Sequence, residues 1–311
     1  MPFSSAVSVI VPVYEGAHVL PTTVPAMLAQ SEPAEWLFVD DGSTDETGAV
    51  LRRLIAEAGA EDRARVLVHP ENRGRAAARN TGVGEAHGRL LAFLDADVAP
   101  RPGYLTALRA ALERPGVVAA VARLEVVGDR ADPYVRYLGS RLRGPRRGTR
   151  ARPQPWRFFR LGIAMVHAEA IRTVGGFDEA LTYGEALEAG ARLAERWPDG
   201  LRFVPEACAY QYDVGDLEVA CAKMAEFGRH NLPRMVERHP QLAGQTGVDV
   251  VDSASGLRGK AYRALLHPRV AHAVRRVLPH LPRGVSDYAV RYLLGFTLAH
   301  SYREGRRRRT P

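Results

Sequence analysis

Between residues 90 and 97 the chain reads Leu90-Leu91-Ala92-Phe93-Leu94-Asp95-Ala96-Asp97, an apolar run that ends in two carboxylates. A continuous apolar run of this kind is typical of a β-strand that is covered on both faces. Similar runs precede it at Val7-Ser8-Val9-Ile10-Val11-Pro12-Val13 and at Trp36-Leu37-Phe38-Val39. Helical patterns lie between these runs, so strands and helices alternate through the first 125 residues. The alternation predicts an α/β fold with a mostly parallel, Rossmann-like sheet that is flanked by helices.

The two carboxylates after the apolar run are the first candidate site. Ligands of parallel sheets bind beyond the carboxyl ends of the strands. In an extended segment Asp95 and Asp97 would point to the same side, because side chains alternate along a strand. Paired carboxylates suit Mn²⁺ or Mg²⁺, which keep several waters and bind substrate phosphates as well. The alternative interpretation is an ordinary, solvated strand end.

A second carboxylate pair, Asp40 and Asp41, follows the second apolar run. The next residues, Ser43 to Glu46, fit a turn and a helix N-cap, where hydroxyl and acidic side chains are favoured. A turn and a cap do not account for two adjacent carboxylates at the end of a strand. We therefore treat Asp40 and Asp41 as candidate binding residues.

The third candidate region is the start of a helix that the sequence predicts over residues 75–87. Arg75 and Arg79 are four residues apart, so they share one helix face and could contact a diphosphate together. The alternative is a solvent-facing row of positive charge. No G-x-G-x-x-G motif follows the first strand, which argues against a dinucleotide-binding dehydrogenase.

The composition narrows the class of protein. Hydrophobic residues make up 46% and charged residues 25% of the 311 residues, which excludes a disordered, collagen-like or coiled-coil chain. Two cysteines without a metal-binding spacing argue against a disulfide framework and favour a reducing compartment. The sequence contains no apolar run of about 18 residues and no signal-peptide pattern. We therefore expect a cytoplasmic protein.

The net charge of +8 is unevenly distributed. Residues 136–160 hold nine arginines and no acid, and residues 255–311 carry a net charge of +11, which leaves −12 for the rest of the chain. Such segments can bind nucleic acid, anionic lipid or a phosphorylated substrate. No nucleic-acid-binding motif is present, whereas Tyr288, Arg291 and the Arg306 to Arg309 tail fit an amphipathic segment at a membrane surface. We expect no nucleic-acid partner and consider peripheral attachment to the inner face of an anionic membrane.

Five motifs, taken in order, resemble the family-2 glycosyltransferases of the GT-A fold. They are Val9-Ile10-Val11-Pro12-Val13-Tyr14, Asp40-Asp41-Gly42-Ser43-Thr44-Asp45, Asn72 and Gly74 with Ala78-Arg79-Asn80-Thr81-Gly82, Asp95-Ala96-Asp97, and Gly175-Gly176-Phe177-Asp178-Glu179. The resemblance runs from Val7 to about Tyr212. It implies a GT-A glycosyltransferase domain over residues 1–215 with a basic loop at 136–160, followed by a helical, basic extension over residues 216–311.

The resemblance also implies an activity. A family-2 enzyme would move a sugar from a nucleotide-diphospho-sugar to an acceptor hydroxyl, with a metal ion and usually with inversion at the anomeric carbon. The acceptor would be a glycan, a lipid or a small molecule, and the product a cell-envelope glycan or glycolipid. The residues that the resemblance places at the nucleotide sugar are Pro12, Tyr14, Glu15, Asp40, Asp41, Arg75, Arg79, Asp95 and Ala96.

Within that set, the resemblance gives several residues separate roles. Tyr14 would lie against the base, and Asp40 or Asp41 would form a hydrogen bond with it. Asp95 would hold the ribose and the metal, and Asp97 would be a second metal ligand. Arg79 would assist the diphosphate.

The sequence departs from the family at the catalytic base. Family members place Glu-Asp at a helix start after the Gly-Gly-Phe-Asp turn, and the Asp is the usual base. Here the residues are Tyr183-Gly184-Glu185-Ala186, so that Asp is missing. Glu185 is the candidate substitute, and Glu188, one helical turn later, is the reserve. Gln211 stands where many relatives carry a metal-proximal His. A nucleotide-sugar-binding scaffold with impaired catalysis is therefore the alternative function, and a basic nucleic-acid-binding protein is a weaker one.

Overall fold

The computed structural model describes residues 6–142, 144–145, 153–249 and 266–308. Residues 143 and 146–152 of the basic loop and Arg309 of the tail lie outside the described residues. The chain divides into two compact units. The sheet unit comprises Met1–Val127, Leu142–Leu181 and Glu185–Asp213, and the helical unit comprises Gly128–Arg141, Thr182–Gly184 and Val214–Pro311.

The sheet unit is built on one eight-stranded sheet. Its strands are β1 (Val7–Val13), β2 (Ala34–Asp40), β3 (Ala64–Val68), β4 (Leu90–Leu94), β5 (Val98–Pro100), β6 (Ala119–Val126), β7 (Ile163–His167) and β8 (Leu201–Gln211). The order across the sheet is β3-β2-β1-β4-β7-β6-β8-β5. Four of the seven neighbouring pairs are parallel, including all three among β1 to β4.

The expected α/β fold is therefore present, and the sheet is mixed rather than uniformly parallel. The antiparallel pairs all involve β7 or β5, which pair with β4, β6 and β8. A parallel pair needs a crossover connection, usually a helix, whereas an antiparallel pair does not. The regular strand–helix alternation that the sequence shows covers β1 to β4, and those strands pair as predicted.

Helices flank the sheet, as the alternation of strands and helices predicts for the first 125 residues. In the sheet unit they are α1 (Leu20–Leu28), α2 (Thr47–Glu57), α3 (Arg75–Glu85), α4 (Tyr104–Leu112), α6 (Ala168–Thr173) and α7 (Glu185–Arg196). Helix α3 can lie close to β1 because Gly82 has no side chain, and a Cβ there would overlap the side chain of Ile10. The N-terminus of α3 is held at the end of β2, because the N–H groups of Arg73 and Gly74 donate hydrogen bonds to Asp41.

The helical unit contains α5 (Pro133–Arg141), α8 (Leu217–Glu226), a π-helix (Phe227–Asn231), α9 (Leu232–Arg238), α10 (Gln241–Thr246), α11 (Pro268–Val277) and α12 (Arg283–Arg307). Its core includes Leu232 and Tyr302. Arg229 pairs with Glu304 at 3.0 Å. None of the described helices is both long enough and apolar enough to cross a membrane.

Candidate functional site

The carboxyl ends of β1, β2 and β4 meet at one edge of the sheet, because these strands are parallel neighbours. This edge carries Tyr14 after β1, Asp40 and Asp41 at the end of β2, and the Asp95 to Asp97 segment after β4. Most of the residues that the sequence singles out therefore lie at or next to this edge. Pro12 lies one residue before the end of β1 and is half-buried.

Asp41 is held by the protein itself. Its Oδ1 accepts hydrogen bonds from His69 Nδ1 at 2.7 Å and from the backbone N–H of Arg73 at 3.0 Å. Its Oδ2 accepts from the N–H of Gly74 at 2.8 Å. The other ring nitrogen of His69 lies 2.9 Å from Thr81 Oγ1. Asp41 and His69 thus anchor the loop that leads into α3, a role of His69 that no sequence motif predicts.

The Asp40 carboxylate accepts fewer hydrogen bonds than that of Asp41. Both side chains are buried, but among the described residues only Ser43 N–H, at 3.1 Å, donates a hydrogen bond to the Asp40 carboxylate. The other carboxylate oxygen, Oδ2, faces Gly48, where an added Cβ would lie 3.1 Å away. Of the two candidate base-binding carboxylates, Asp40 therefore retains the greater capacity to accept a hydrogen bond.

The loop after β1 is tied to the loop after β2. Glu15 has a positive φ of 50°, and its carboxylate accepts hydrogen bonds from Thr44 N–H and Oγ1, each at 2.9 Å. The N–H of Gly16 donates to Thr47 Oγ1 at 2.8 Å. Tyr14, just before this tie, is 52% exposed. The Glu15 carboxylate thus already accepts hydrogen bonds within the protein, while the Tyr14 ring is accessible to a ligand.

Asp95, Ala96 and Asp97 form a turn, so the extended segment that we expected there is wrong. The N–H of Val98 donates to Asp95 O at 3.0 Å, and Thr23 Oγ1 donates to Ala96 O at 2.7 Å. The carboxylates are still close enough to interact. Burial, together with the negative charge of Asp95, raises the pKa of Asp97 to about 6. The cause is the cost of a second negative charge in a partly dry site.

Two neighbours of Asp97, Gln211 and Arg75, lower its pKa and so oppose the effect of burial. Gln211 Nε2 donates a hydrogen bond to Asp97 Oδ2 at 3.1 Å. The positive charge of Arg75, at the start of α3, also lowers the pKa of Asp97. Gln211 thus contacts the carboxylate that the resemblance assigns to the metal.

Arg79 is buried in α3 and joins two other candidate residues. Its Nη2 donates to Asp95 Oδ1 at 2.9 Å, and its Nη1 donates to Glu185 Oε1. The Arg79 side chain is 2% exposed and that of Glu185 6% exposed, whereas Asp95 is 30% exposed. The candidate base and the candidate metal ligand therefore share one guanidinium.

The backbone of Gly162 forms the other wall beside Asp95. A Cβ at Gly162 would overlap the Asp95 carboxylate, and Gly162 O accepts a hydrogen bond from Asp95 N–H at 3.3 Å. Sequence motifs do not point to this role, because Gly162 belongs to none of the five motifs. Its only signal is a glycine directly before an apolar strand.

Glu188 belongs to a different network. Arg192 contacts it with two nitrogens, Nε at 2.9 Å and Nη2 at 2.5 Å. Arg192 also donates to Gly176 O at 2.8 Å and to Val174 O. Asn80 holds the same turn, accepting from Phe177 N–H and donating to Phe177 O, both at 2.9 Å. Glu188 therefore supports the Gly-Gly-Phe-Asp turn.

The residues around Asp95 fit a divalent cation whose coordination shell is completed by a bound ligand. No group of three His, Cys, Asp or Glu side chains with metal-binding geometry occurs in the part of the chain that the structure describes. Two carboxylates are nevertheless what Mg²⁺ or Mn²⁺ requires when waters and substrate phosphates supply the remaining oxygens. Burial first, and then the charge of Asp95, disfavour the ionised form of Asp97 and raise its pKa, and a bound cation would favour that ionised form.

Comparison with known proteins places this site in context. The sequence model of the family described as Glycosyl transferase family 2 matches residues 8–175. The pre-mycofactocin glycosyltransferase of Mycobacterium tuberculosis is 33% identical over 237 residues, which are 75% of this chain and 48% of that protein. The glycosyltransferase AglE of Haloferax volcanii is 39% identical over 102 residues, 32% of this chain and 33% of that protein. The chain spans half or less of the length of these curated relatives.

Solved structures agree with this comparison at the level of the fold. The mannosyltransferase PcManGT from Pyrobaculum calidifontis, in complex with GDP-Man and Mn²⁺, has a TM-score of 0.63 at 19% identity and covers 98% of this chain and 91% of that chain. S. aureus TarS 1-349 in complex with UDP-GlcNAc has a TM-score of 0.55 at 15% identity, covering 96% and 92%. These likenesses confirm the GT-A fold.

Proposed function

This chain belongs to glycosyl transferase family 2, and we propose that it is a glycosyltransferase that moves a sugar from a nucleotide-diphospho-sugar to an acceptor hydroxyl with the help of Mn²⁺ or Mg²⁺. The observation that carries the metal dependence is the half-buried Asp97 carboxyl beside Asp95, with its raised pKa. Arg79 forms an ion pair with Asp95, and a cation bound beside Asp97 would reduce the remaining repulsion between the two carboxylates and a diphosphate. The GDP-Man and Mn²⁺ bound by the structurally similar mannosyltransferase support the same class of ligands.

The nucleotide would bind along the carboxyl edge of the sheet. Tyr14 offers an exposed ring to the base, and Asp40 accepts a hydrogen bond from a base N–H. Asp41 acts indirectly, because its carboxylate is already held by His69 and by the loop before α3. Arg75 begins α3, where a positively charged side chain and the helix N-terminus both favour a diphosphate.

The chemistry requires a stabilised leaving group and a base. Asp95 and Asp97 would hold the cation, which when bound supplies the positive charge that offsets the departing nucleoside diphosphate. Glu185 would take the proton of the acceptor hydroxyl at Oε2, since its Oε1 accepts from Arg79. Attack from the face opposite the leaving group inverts the anomeric carbon, as in inverting glycosidases. Glu188 is the weaker candidate because Arg192 binds both of its oxygens.

A binding scaffold with impaired catalysis is the second candidate. The observation that favours it is the ion pair between Arg79 and Glu185, because a carboxylate that is neutralised by a guanidinium is a weaker base. The test of both functions is a thermal-shift panel of UDP-, GDP- and dTDP-sugars with Mn²⁺, followed by analysis of released nucleoside diphosphate with candidate hydroxyl acceptors. Donor binding with acceptor-dependent release supports the transferase. Tight donor binding without release for any acceptor supports the scaffold.

We further propose that residues 1–215 carry the transferase site and that 216–311 attach the enzyme to the inner face of an anionic membrane, where envelope glycan or glycolipid acceptors occur. Tyr288 is 74% exposed and Val285 51% exposed on α12. The exposed arginines of the helical unit include Arg276, Arg283 and Arg291. Each basic residue at an anionic surface contributes about 1 kcal/mol.

Vesicle co-sedimentation tests this attachment. The protein should pellet with vesicles that contain phosphatidylserine and remain in solution with pure phosphatidylcholine. Replacing Arg276, Arg283 and Arg291 by Gln should abolish most of the difference. Equal pelleting of the wild type and this variant would count against the proposal, without affecting the transferase assignment.

A further inference from the structure

Arg79 occupies an unusual position for a residue that is expected to contact a diphosphate. Its guanidinium is 2% exposed, and its two terminal nitrogens donate to Asp95 and to Glu185. Its Nε is buried and has no hydrogen-bond partner among the described residues. To reach an incoming diphosphate, Arg79 would have to abandon a carboxylate that it neutralises in the interior.

The cost of such a movement is large compared with the gain. Breaking a buried ion pair leaves an uncompensated charge in a site of low dielectric constant. The free-energy cost would be greatest at Glu185, since its side chain is 6% exposed and water cannot replace the guanidinium there. Asp95, at 30% exposed, could exchange its partner more easily.

We propose that Arg79 is a positioning residue, an internal cation that fixes Glu185 and competes with the divalent metal for Asp95, so that metal binds well only together with the nucleotide. The inference rests on the proposed function and deepens it. Arg79 holds Asp95 Oδ1, while Gly162 closes the side of Oδ2. A cation that approaches Asp95 must therefore share this carboxylate with a guanidinium 2.9 Å away.

The charge balance explains the dependence on nucleotide. Without nucleotide, the positive charge of Arg79 repels a metal ion at Asp95 and Asp97. The phosphates of the nucleotide add negative charge at the same place and offset this repulsion. The ion pair with Glu185 remains in both states, so the candidate base keeps its orientation while the donor enters and leaves.

Calorimetric titration of Mn²⁺ in the absence of nucleotide tests the inference. Arg79→Gln should bind Mn²⁺ at least about tenfold more tightly than the wild type, because it removes a unit positive charge beside the cation site. Arg53→Gln is the matched control: it makes the same change of net charge at an exposed pair with Glu57, where both side chains are more than half exposed, at 54% and 56%. The control should leave the Mn²⁺ affinity unchanged.

The opposite pattern would overturn the inference. If Arg79 contacts the diphosphate, Arg79→Gln would leave the affinity for Mn²⁺ alone unchanged and would weaken UDP or GDP binding in saturating Mn²⁺ by about tenfold or more. If Mn²⁺ binds neither the wild type nor Arg79→Gln, with or without UDP or GDP, the metal arm of the proposed function fails and the inference fails with it. Nucleotide-dependent Mn²⁺ binding in the wild type with no gain in Arg79→Gln contradicts the inference alone.

A second variant keeps the test valid if Arg79→Gln does not fold. Glu185→Gln is nearly isosteric and can still accept a hydrogen bond from Arg79. It removes the negative charge that partly neutralises Arg79, so the affinity for Mn²⁺ without nucleotide should fall several-fold. An unchanged Mn²⁺ affinity in Glu185→Gln would contradict the inference.

Discussion

The backbone of Gly162 lies against the carboxylate of Asp95 so closely that a methyl group at this glycine would occupy the position of the carboxylate. Gly162 thus sets where Asp95 points, and Asp95 in turn meets Arg79 on its other side. A residue outside every recognisable motif therefore controls the geometry of the candidate metal ligands.

Gly162→Ala should impair function more than folding. The methyl group must displace Asp95, and a displacement of roughly 1 Å at a reacting centre can cost about 10²-fold in kcat/KM. Overpacking of this kind costs about 1–3 kcal/mol in stability. Steady-state kinetics and urea denaturation measure the two effects. Gly84→Ala is the control, since nothing lies within 4 Å of its added Cβ and an exposed helical Ala stabilises by up to about 1 kcal/mol. Wild-type kcat/KM in Gly162→Ala would contradict this account of Asp95.

Glu185→Gln and Glu188→Gln should separate chemistry from structure. The first should lower kcat by about 10²–10⁴-fold, the usual contribution of a general base, and change donor affinity in saturating metal only slightly. The second removes the charge that faces Arg192, so it should lower the free energy of unfolding and leave kcat within a few-fold of the wild type. Stopped-assay kinetics and thermal melting suffice. A near-wild-type kcat for Glu185→Gln with a confirmed acceptor would refute its assignment as the base.

Glu35 should make part of the stability depend on pH. Burial acts to raise its pKa, but hydrogen bonds from Ser8, His87 and Arg65 outweigh burial and hold the pKa below the ordinary value of 4.5. A carboxyl with a lowered pKa stabilises the fold above the ordinary value, and that stabilisation is lost as the pH falls through the folded value. Glu35→Gln should therefore be less stable than the wild type at neutral pH.

Urea unfolding between pH 3 and 7 measures the difference in stability between the wild type and Glu35→Gln. This difference should shrink below about pH 4.5, because the Glu35 carboxyl of the wild type then becomes protonated and loses its negative charge. Glu57→Gln is a suitable control, since that carboxylate forms an exposed pair on α2 and should show almost no pH-dependent difference. A Glu35→Gln deficit that stays constant across the range would contradict the electrostatic explanation.

The sequence predicted the parts of this molecule whose signals are local. Strands β1, β2 and β4 are covered on both faces, so they appear as unbroken apolar runs. Strand β8 was missed because Pro205 and Glu206 interrupt its apolar pattern, and its pairing with β6 has an irregular register at the same place. Strand β5 has only three residues, too few for a periodic pattern.

In the candidate site, too, some residues could be predicted from the sequence and others could not. The carboxylates at the strand ends could be located from the sequence, because parallel strands bring their carboxyl ends to one edge. The partner of Arg79 could not, since Glu185 lies 106 residues further along the chain. His69, likewise, reveals its role only when Asp41 and Thr81 are seen on either side of its ring.

The central claim is that two carboxylates, Asp95 and Asp97, bind the donor through a divalent cation. Calorimetry of UDP and GDP binding in Mn²⁺ and then in EDTA tests it most directly. The account predicts that one nucleotide binds at least about tenfold more tightly in Mn²⁺, and that Asp97→Asn removes most of this difference. Equal affinity of both nucleotides in Mn²⁺ and in EDTA would contradict the claim.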